Sequence, residues 1–194
     1  MRSAPWWALV SSGCAPVFLV GSWMIAQLRQ GPEYDPARQT LSVLAAYGAA
    51  SYWLMTGMLL VLGTCYVVTA YALRSAALPG RVALAGGGLC ALALTLVPAP
   101  SSGGALEHGA VAALGLVLLA VWPPLAAVRG GSPAPWWLRL DVSLAASALM
   151  CASALWFLAE LQNAGVPGVA ERVVTFSQAL WPFLVVVSCR GSTA

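Results

Sequence analysis

Apolar and polar positions alternate along this chain in long blocks, not with the short period of a half-buried strand. Six apolar runs stand out, at about 6–28, 50–73, 82–97, 106–128, 138–161 and 170–189. At about 1.5 Å per residue, a run of about 20 residues crosses a hydrocarbon core ~30 Å thick. Between the runs lie short breaks. Pro32 and Pro36 keep Arg29–Thr40 out of a regular helix. The apolar run Leu41–Leu73 is 33 residues long, roughly 50 Å if helical throughout, which exceeds one crossing. Its first part is therefore expected at the interface, folding back at Gly48. Pro79-Gly80 predicts a turn, Pro98–Gly104 and Arg129–Pro135 predict loops, and Gln162–Gly168 predicts another turn. Pro123-Pro124 would disturb the end of the fourth run. The pattern predicts an all-α, polytopic integral membrane bundle of six transmembrane helices, forming a single domain over residues 1–194.

Composition agrees and narrows the function classes. The chain is 60% hydrophobic and 8% charged, whereas a soluble domain carries about 25% charged residues. No long polar stretch offers a separate soluble domain. All nine basic residues are arginine, so the net charge of +3 is no nucleic-acid signal. Their placement matters more. With both termini inside, six arginines (Arg2, Arg74, Arg81, Arg129, Arg139 and Arg190) face the cytoplasm and three (Arg29, Arg38 and Arg172) face out. That bias predicts an N-in, C-in orientation. Ala4-Pro-Trp-Trp7 and Ala134-Pro-Trp-Trp137 then open the first and fifth spans at the inner face, where tryptophans suit the headgroup zone. Ser11-Ser12-Gly13-Cys14 has the look of a lipoprotein cleavage box. The apolar run before Cys14 is too short for that, and an uncleaved first span is expected. None of the five cysteines forms a CxxC pair, and there is one histidine, so no metal site and no cofactor is expected.

This orientation sorts the polar residues. Glu33, Asp35, Glu107, Glu160 and Glu171 fall at the outer end with His108, Gln162, Asn163 and Arg172, and Asp141 falls at the inner end beside Arg139. Ionisable groups near the apolar zone are costly, so they usually face protein or a water-filled cavity. His108, Ala112 and Gly115 share a small-residue face that suits helix contact in lipid. Ser153, Trp156, Phe157 and Glu160 lie on one stripe, and Glu171, Thr175 and Gln178 on another that descends into the membrane. The functional reading is an outward-opening cavity walled by Tyr47, Trp53, Trp156 and Phe176, with the Glu33–Arg38 loop as its lid. Its candidate catalytic groups are Glu160, Glu171, His108, Asp35 and Glu33. Gln178, Arg172 and Arg38 join the four aromatics as candidate substrate-binding residues. Carboxylates and an imidazole there would perform general acid–base chemistry, and the aromatic faces would stabilise a positive centre. The alternative reading is that the boundary charges are solvated or paired and the aromatics form the usual belt. Asp141 with Arg139 reads as a structural ion pair. Gly86-Gly87-Gly88 reads as close helix packing. No P-loop, GxSxG or dinucleotide fingerprint occurs. Ser42, His108 and an acid would make a hydrolytic set, but nothing local marks Ser42 as a nucleophile, and it reads as a cap.

Several short motifs point to a family: Pro32-Glu-Tyr-Asp-Pro36, Thr40-Leu-Ser-Val-Leu-Ala-Ala46, Trp53-Leu-Met55, Gly168-Val-Ala-Glu-Arg172 and Trp181. With six short spans, they resemble the domain-of-unknown-function 998 family of bacterial membrane proteins. The likeness covers nearly the whole chain, and Glu171-Arg172 after a glycine turn is its best single match. His108 fits the family's histidine near the start of the fourth span. The acidic residue usual in the preceding loop has no counterpart in Pro98–Gly104, where Glu107 would substitute. The resemblance implies the fold and a bacterial cytoplasmic (inner) membrane location; the family carries no established activity.

The expectation is an integral membrane enzyme acting by acid–base chemistry on an apolar, lipid- or isoprenoid-like substrate, of cyclase or isomerase type. The alternative is a non-catalytic binder or transporter of a small lipid-like molecule, or an accessory membrane subunit. The expected partners are membrane lipids and an apolar or amphiphilic small molecule, with a homo-oligomer possible and no nucleic acid.

Overall fold

The computed structural model describes residues 4–100, 105–128 and 135–191. Arg2, Arg129, Ala134 and most of the two loops expected at Pro98–Gly104 and Arg129–Pro135 lie outside them. The chain is all-α, with no strand among the described residues. Its helices are α1 (Trp6–Gln27), α2 (Leu41–Leu44), α3 (Tyr52–Ala72), α4 (Leu78–Ala93), α5 (Leu106–Ala126), α6 (Leu140–Asn163) and α7 (Pro167–Gly191), with a 3₁₀ turn at Trp136–Leu138. Five of them, α1, α3, α5, α6 and α7, are long and apolar enough to cross a membrane. The chain is a multi-pass membrane protein. The shorter α4 has 16 residues, about 24 Å of helix.

The overlong run breaks where expected. Leu41–Leu44 forms the short α2, Gly48 sits at φ +84°, and α3 starts at Tyr52. A positive φ costs glycine nothing, so the chain reverses there without strain. Gln30 Nε2 donates to Ser51 Oγ at 2.8 Å, and Ser51 Oγ donates to the Leu44 carbonyl at 2.8 Å. This bridge ties the end of α1 to α2 and the start of α3. The expected turn at Pro79-Gly80 is absent, because both residues lie in the first turn of α4. Proline is well placed there, since the first helical N–H groups have no intrahelical partner. A side chain at Gly80 would collide with Ala126, so α4 begins packed against the end of α5.

The glycine run does pack closely. A Cβ on Gly88 would meet the Gly63 carbonyl oxygen at 2.7 Å, and one on Gly63 would meet the Gly88 oxygen at 2.6 Å. A Cβ on Gly87 would meet Leu119 at 2.6 Å. α4 is thus held between α3 and α5 by backbone approach, which suits a solvent where burial of apolar area gives no drive.

Two ends follow from these contacts. At one end Arg190 donates to the Ala4 carbonyl at 3.0 Å, and the Ala77 N–H donates to the Ala126 carbonyl at 3.0 Å. Asp141 pairs with Arg139 at 2.8 Å here, whereas Arg81 donates to the carbonyls of Ala70 and Tyr71. At the other end lie the 31–40 loop, α2, the start of α5 and the α6–α7 turn. Glu33, Asp35, Glu107, Glu160 and Glu171 all belong to this loop end.

Candidate functional site

Gly168 brings the loop onto α7. A side chain there would run into the carbonyls of Pro36, Ala37 and Gln39. The Val169 N–H donates to the Ala37 carbonyl at 3.2 Å. Arg172, one turn on, closes the clamp. Its Nη1 donates to the carbonyls of Pro36 at 2.8 Å, Gln39 at 3.2 Å and Gly168 at 2.8 Å. Its Nη2 donates to the Tyr34 hydroxyl at 2.7 Å, and its guanidinium lies 5.9 Å from the centre of the Trp23 ring. Burial pushes the Tyr34 phenol above its ordinary range, against the opposing pull of Arg172. The donors of Arg172 are thus directed at the protein, and its geometry is that of a loop clamp.

The clamp positions Glu171. This carboxylate is buried, 9% exposed, and accepts the backbone N–H of Leu41. The Ser42 hydroxyl lies beside the same carboxylate. Ser42 Oγ also stands 3.3 Å from His108 Nε2, and His108 Nδ1 stands 2.9 Å from the Val97 carbonyl oxygen. A carbonyl can only accept, so Nδ1 carries a proton and Nε2 faces the serine. Glu171, Ser42 and His108 therefore form one polar chain from the buried face of α7 to the half-buried His108 in the first turn of α5. Below it, Thr175 donates to the Glu171 carbonyl at 2.7 Å. Gln178, 1% exposed, donates to the Leu116 carbonyl at 2.9 Å, and its Oε1 is buried without a partner. The polar stripe of α7 faces the bundle interior.

The other expected site residues lie elsewhere. Glu160 shapes the α6–α7 turn: its Oε1 accepts Trp156 Nε1 at 2.9 Å and its Oε2 accepts the Val166 N–H at 2.7 Å. Asp35 caps its own loop, accepting the Ala37 N–H at 2.9 Å and pairing with Arg38 at 3.7 Å, with both side chains exposed. An exposed pair of this kind contributes about 0–1 kcal/mol. Glu33 is exposed on the same loop. The aromatics expected as cavity walls do not enclose the polar chain. Tyr47 is 70% exposed, Trp53 80%, and Trp156 and Phe176 each 38%. Tyr47 and Trp53 both stack edge-on against Tyr52, which makes an aromatic cluster of the kind found at membrane boundaries. Side chains that reach outward to an interface cannot also line an inner wall. A cleft of about 440 Å³, lined by Ser75, Pro79, Pro124 and Leu125 among others, lies at the opposite end of the bundle. Among the described residues, no three His, Cys, Asp or Glu side chains gather to hold a metal ion.

Tyr34 is not singled out by the sequence; Ser42 is, with His108 and an unspecified acid. Ser42 is not a cap, however: it lies inside α2, whose N-cap is Thr40, and the acid beside it is Glu171. The Ser42–His108 contact spans 66 positions and the Tyr34–Arg172 contact 138, so no local spacing announces either. No curated protein and no solved structure matches the chain significantly. The family described as "Protein of unknown function (DUF998)" matches it over residues 13–188. That span covers most of the 194 residues, and the chain belongs to the DUF998 family.

Proposed function

We propose that this membrane protein is an enzyme that performs acid–base chemistry on an apolar or amphiphilic, lipid-like substrate at the loop end of its bundle. The observation that carries this reading is the chain Glu171–Ser42–His108. A carboxyl group buried at the edge of an apolar phase is costly unless it is used or well satisfied. Here it has one backbone donor and a hydroxyl neighbour linked to an imidazole. General acid–base catalysis needs such a group within reach of the reacting atoms. Glu171 is the proposed acid or base, and His108 supplies and accepts protons from the aqueous side. An isomerisation or cyclisation begun by proton transfer uses these groups without further chemistry.

The same reading has α4 crossing as a sixth span and both termini in the cytoplasm of a bacterial inner membrane. The Ala4–Arg190 contact supports termini on one side, and the arginine bias supports that side being internal.

The test is mass spectrometry of organic extracts from membranes expressing the parent or Glu171→Gln, each supplied with prenylated and fatty-acyl substrates. A new product made by the parent and lost in the variant is the expected result. Compounds retained unchanged by the parent would replace the enzyme reading with a binder or transporter.

A further inference from the structure

We propose that Ser42 is the middle link of a proton relay between the half-buried His108 imidazole and the buried Glu171 carboxyl group. The proposal deepens the acid–base reading and rests on it for its use, but not for its test. The geometry runs in one direction. The Val97 carbonyl fixes a proton on Nδ1, which leaves Nε2 to exchange protons with Ser42 Oγ at 3.3 Å. The Ser42 hydroxyl in turn lies beside the carboxylate that the Leu41 N–H holds in place.

A hydroxyl is both donor and acceptor, so it can pass a proton without net change. In the loaded state the imidazolium Nε2–H donates to Ser42 Oγ, whose own proton points to the ionised Glu171. In the shift, the Nε2–H and Oγ–H bonds break as a new Oγ–H bond and a carboxyl O–H bond form. His108 becomes neutral, Glu171 becomes the neutral acid, and Ser42 remains a hydroxyl. Glu171 then gives its proton to the substrate, and water at the half-buried imidazole returns one to Nε2. Arg172 acts on Glu171 from its own helix, Leu41 and Ser42 act on it from α2, and Glu171 in turn acts on Tyr34 in the loop. Glu107 precedes His108 and is exposed.

The experiment uses the full chain in lipid nanodiscs. Protons are released by flash from a caged acid, and the carboxyl C=O band of Glu171 is followed by time-resolved infrared spectroscopy. Glu171→Gln removes the band and so assigns it. The relay predicts that Ser42→Ala slows the appearance of the band on the order of 10²-fold, that His108→Gln slows it likewise, and that Ser42→Thr restores it. An unchanged rate in Ser42→Ala overturns the relay, as does a parent chain in which Glu171 takes up no proton. Should Ser42→Ala fail to fold, His108→Gln carries the same test. A working relay in a chain that makes no product would remove the enzyme reading and leave the relay standing.

Discussion

Adjacent on α7, Glu171 and Arg172 serve different neighbours. Arg172 turns toward the loop and gathers three carbonyls and the Tyr34 hydroxyl. Glu171 turns toward α2 and its serine. The planar fork of arginine lets one charge reach several acceptors at fixed angles, whereas a lysine ammonium is a single point. Arg172→Lys keeps the charge but loses part of this array. Hydrogen bonds to charged groups contribute about 1.5–3 kcal/mol each, so the loop is expected to loosen while the helices persist. Limited proteolysis should then cut within residues 31–40 faster than in the parent, at equal helix content by circular dichroism. Equal cutting rates would show that the loop is held by something else. At this scale the sequence was half legible. The α7 stripe Glu171, Thr175 and Gln178 could be read from helical spacing, and it does face inward. Ser42 and His108 could be named with an acid, but not which acid, because that pairing arises only when two distant segments meet.

At the scale of elements, α3, α4 and α5 depend on glycine. Gly63 and Gly88 face each other across α3 and α4 with their backbones in contact. The run Gly86-Gly87-Gly88 announced close packing; the lone Gly63 in its apolar span did not. Gly57, on the same helix as Gly63, has nothing within 4 Å of its added Cβ. Gly63→Leu should therefore force α3 and α4 apart and cost about 1–3 kcal/mol, read as a lower midpoint in detergent-denaturant titration. Gly57→Leu should leave that midpoint nearly unchanged. Equal effects at the two positions would contradict the packing described. Helix boundaries were legible where glycine or proline has one meaning, as at Gly48, whose positive φ makes the bend. They were misread where proline has two. Pro79 starts α4 instead of closing the turn before it, because proline suits both a turn and the first turn of a helix.

Across the whole molecule, polarity is divided between the ends. The described chain termini meet at one end through Ala4 and Arg190, and five of the six acidic residues belong to the other. Within that acidic end the structure separates two roles that spacing alone had joined. Glu160 holds the α6–α7 turn through Trp156 and Val166, while Glu171 enters the chain to Ser42 and His108. Both are glutamates near a helix end at the same boundary, so composition and periodicity treat them alike; only the direction of each side chain tells them apart. The most direct measurement is therefore a paired one: product formation by Glu160→Gln and by Glu171→Gln, at matched amounts of folded protein in the membrane. The account predicts that Glu160→Gln keeps most of the parent's activity and that Glu171→Gln loses on the order of 10²-fold or more. Loss confined to Glu160→Gln, with Glu171→Gln as active as the parent, would contradict it.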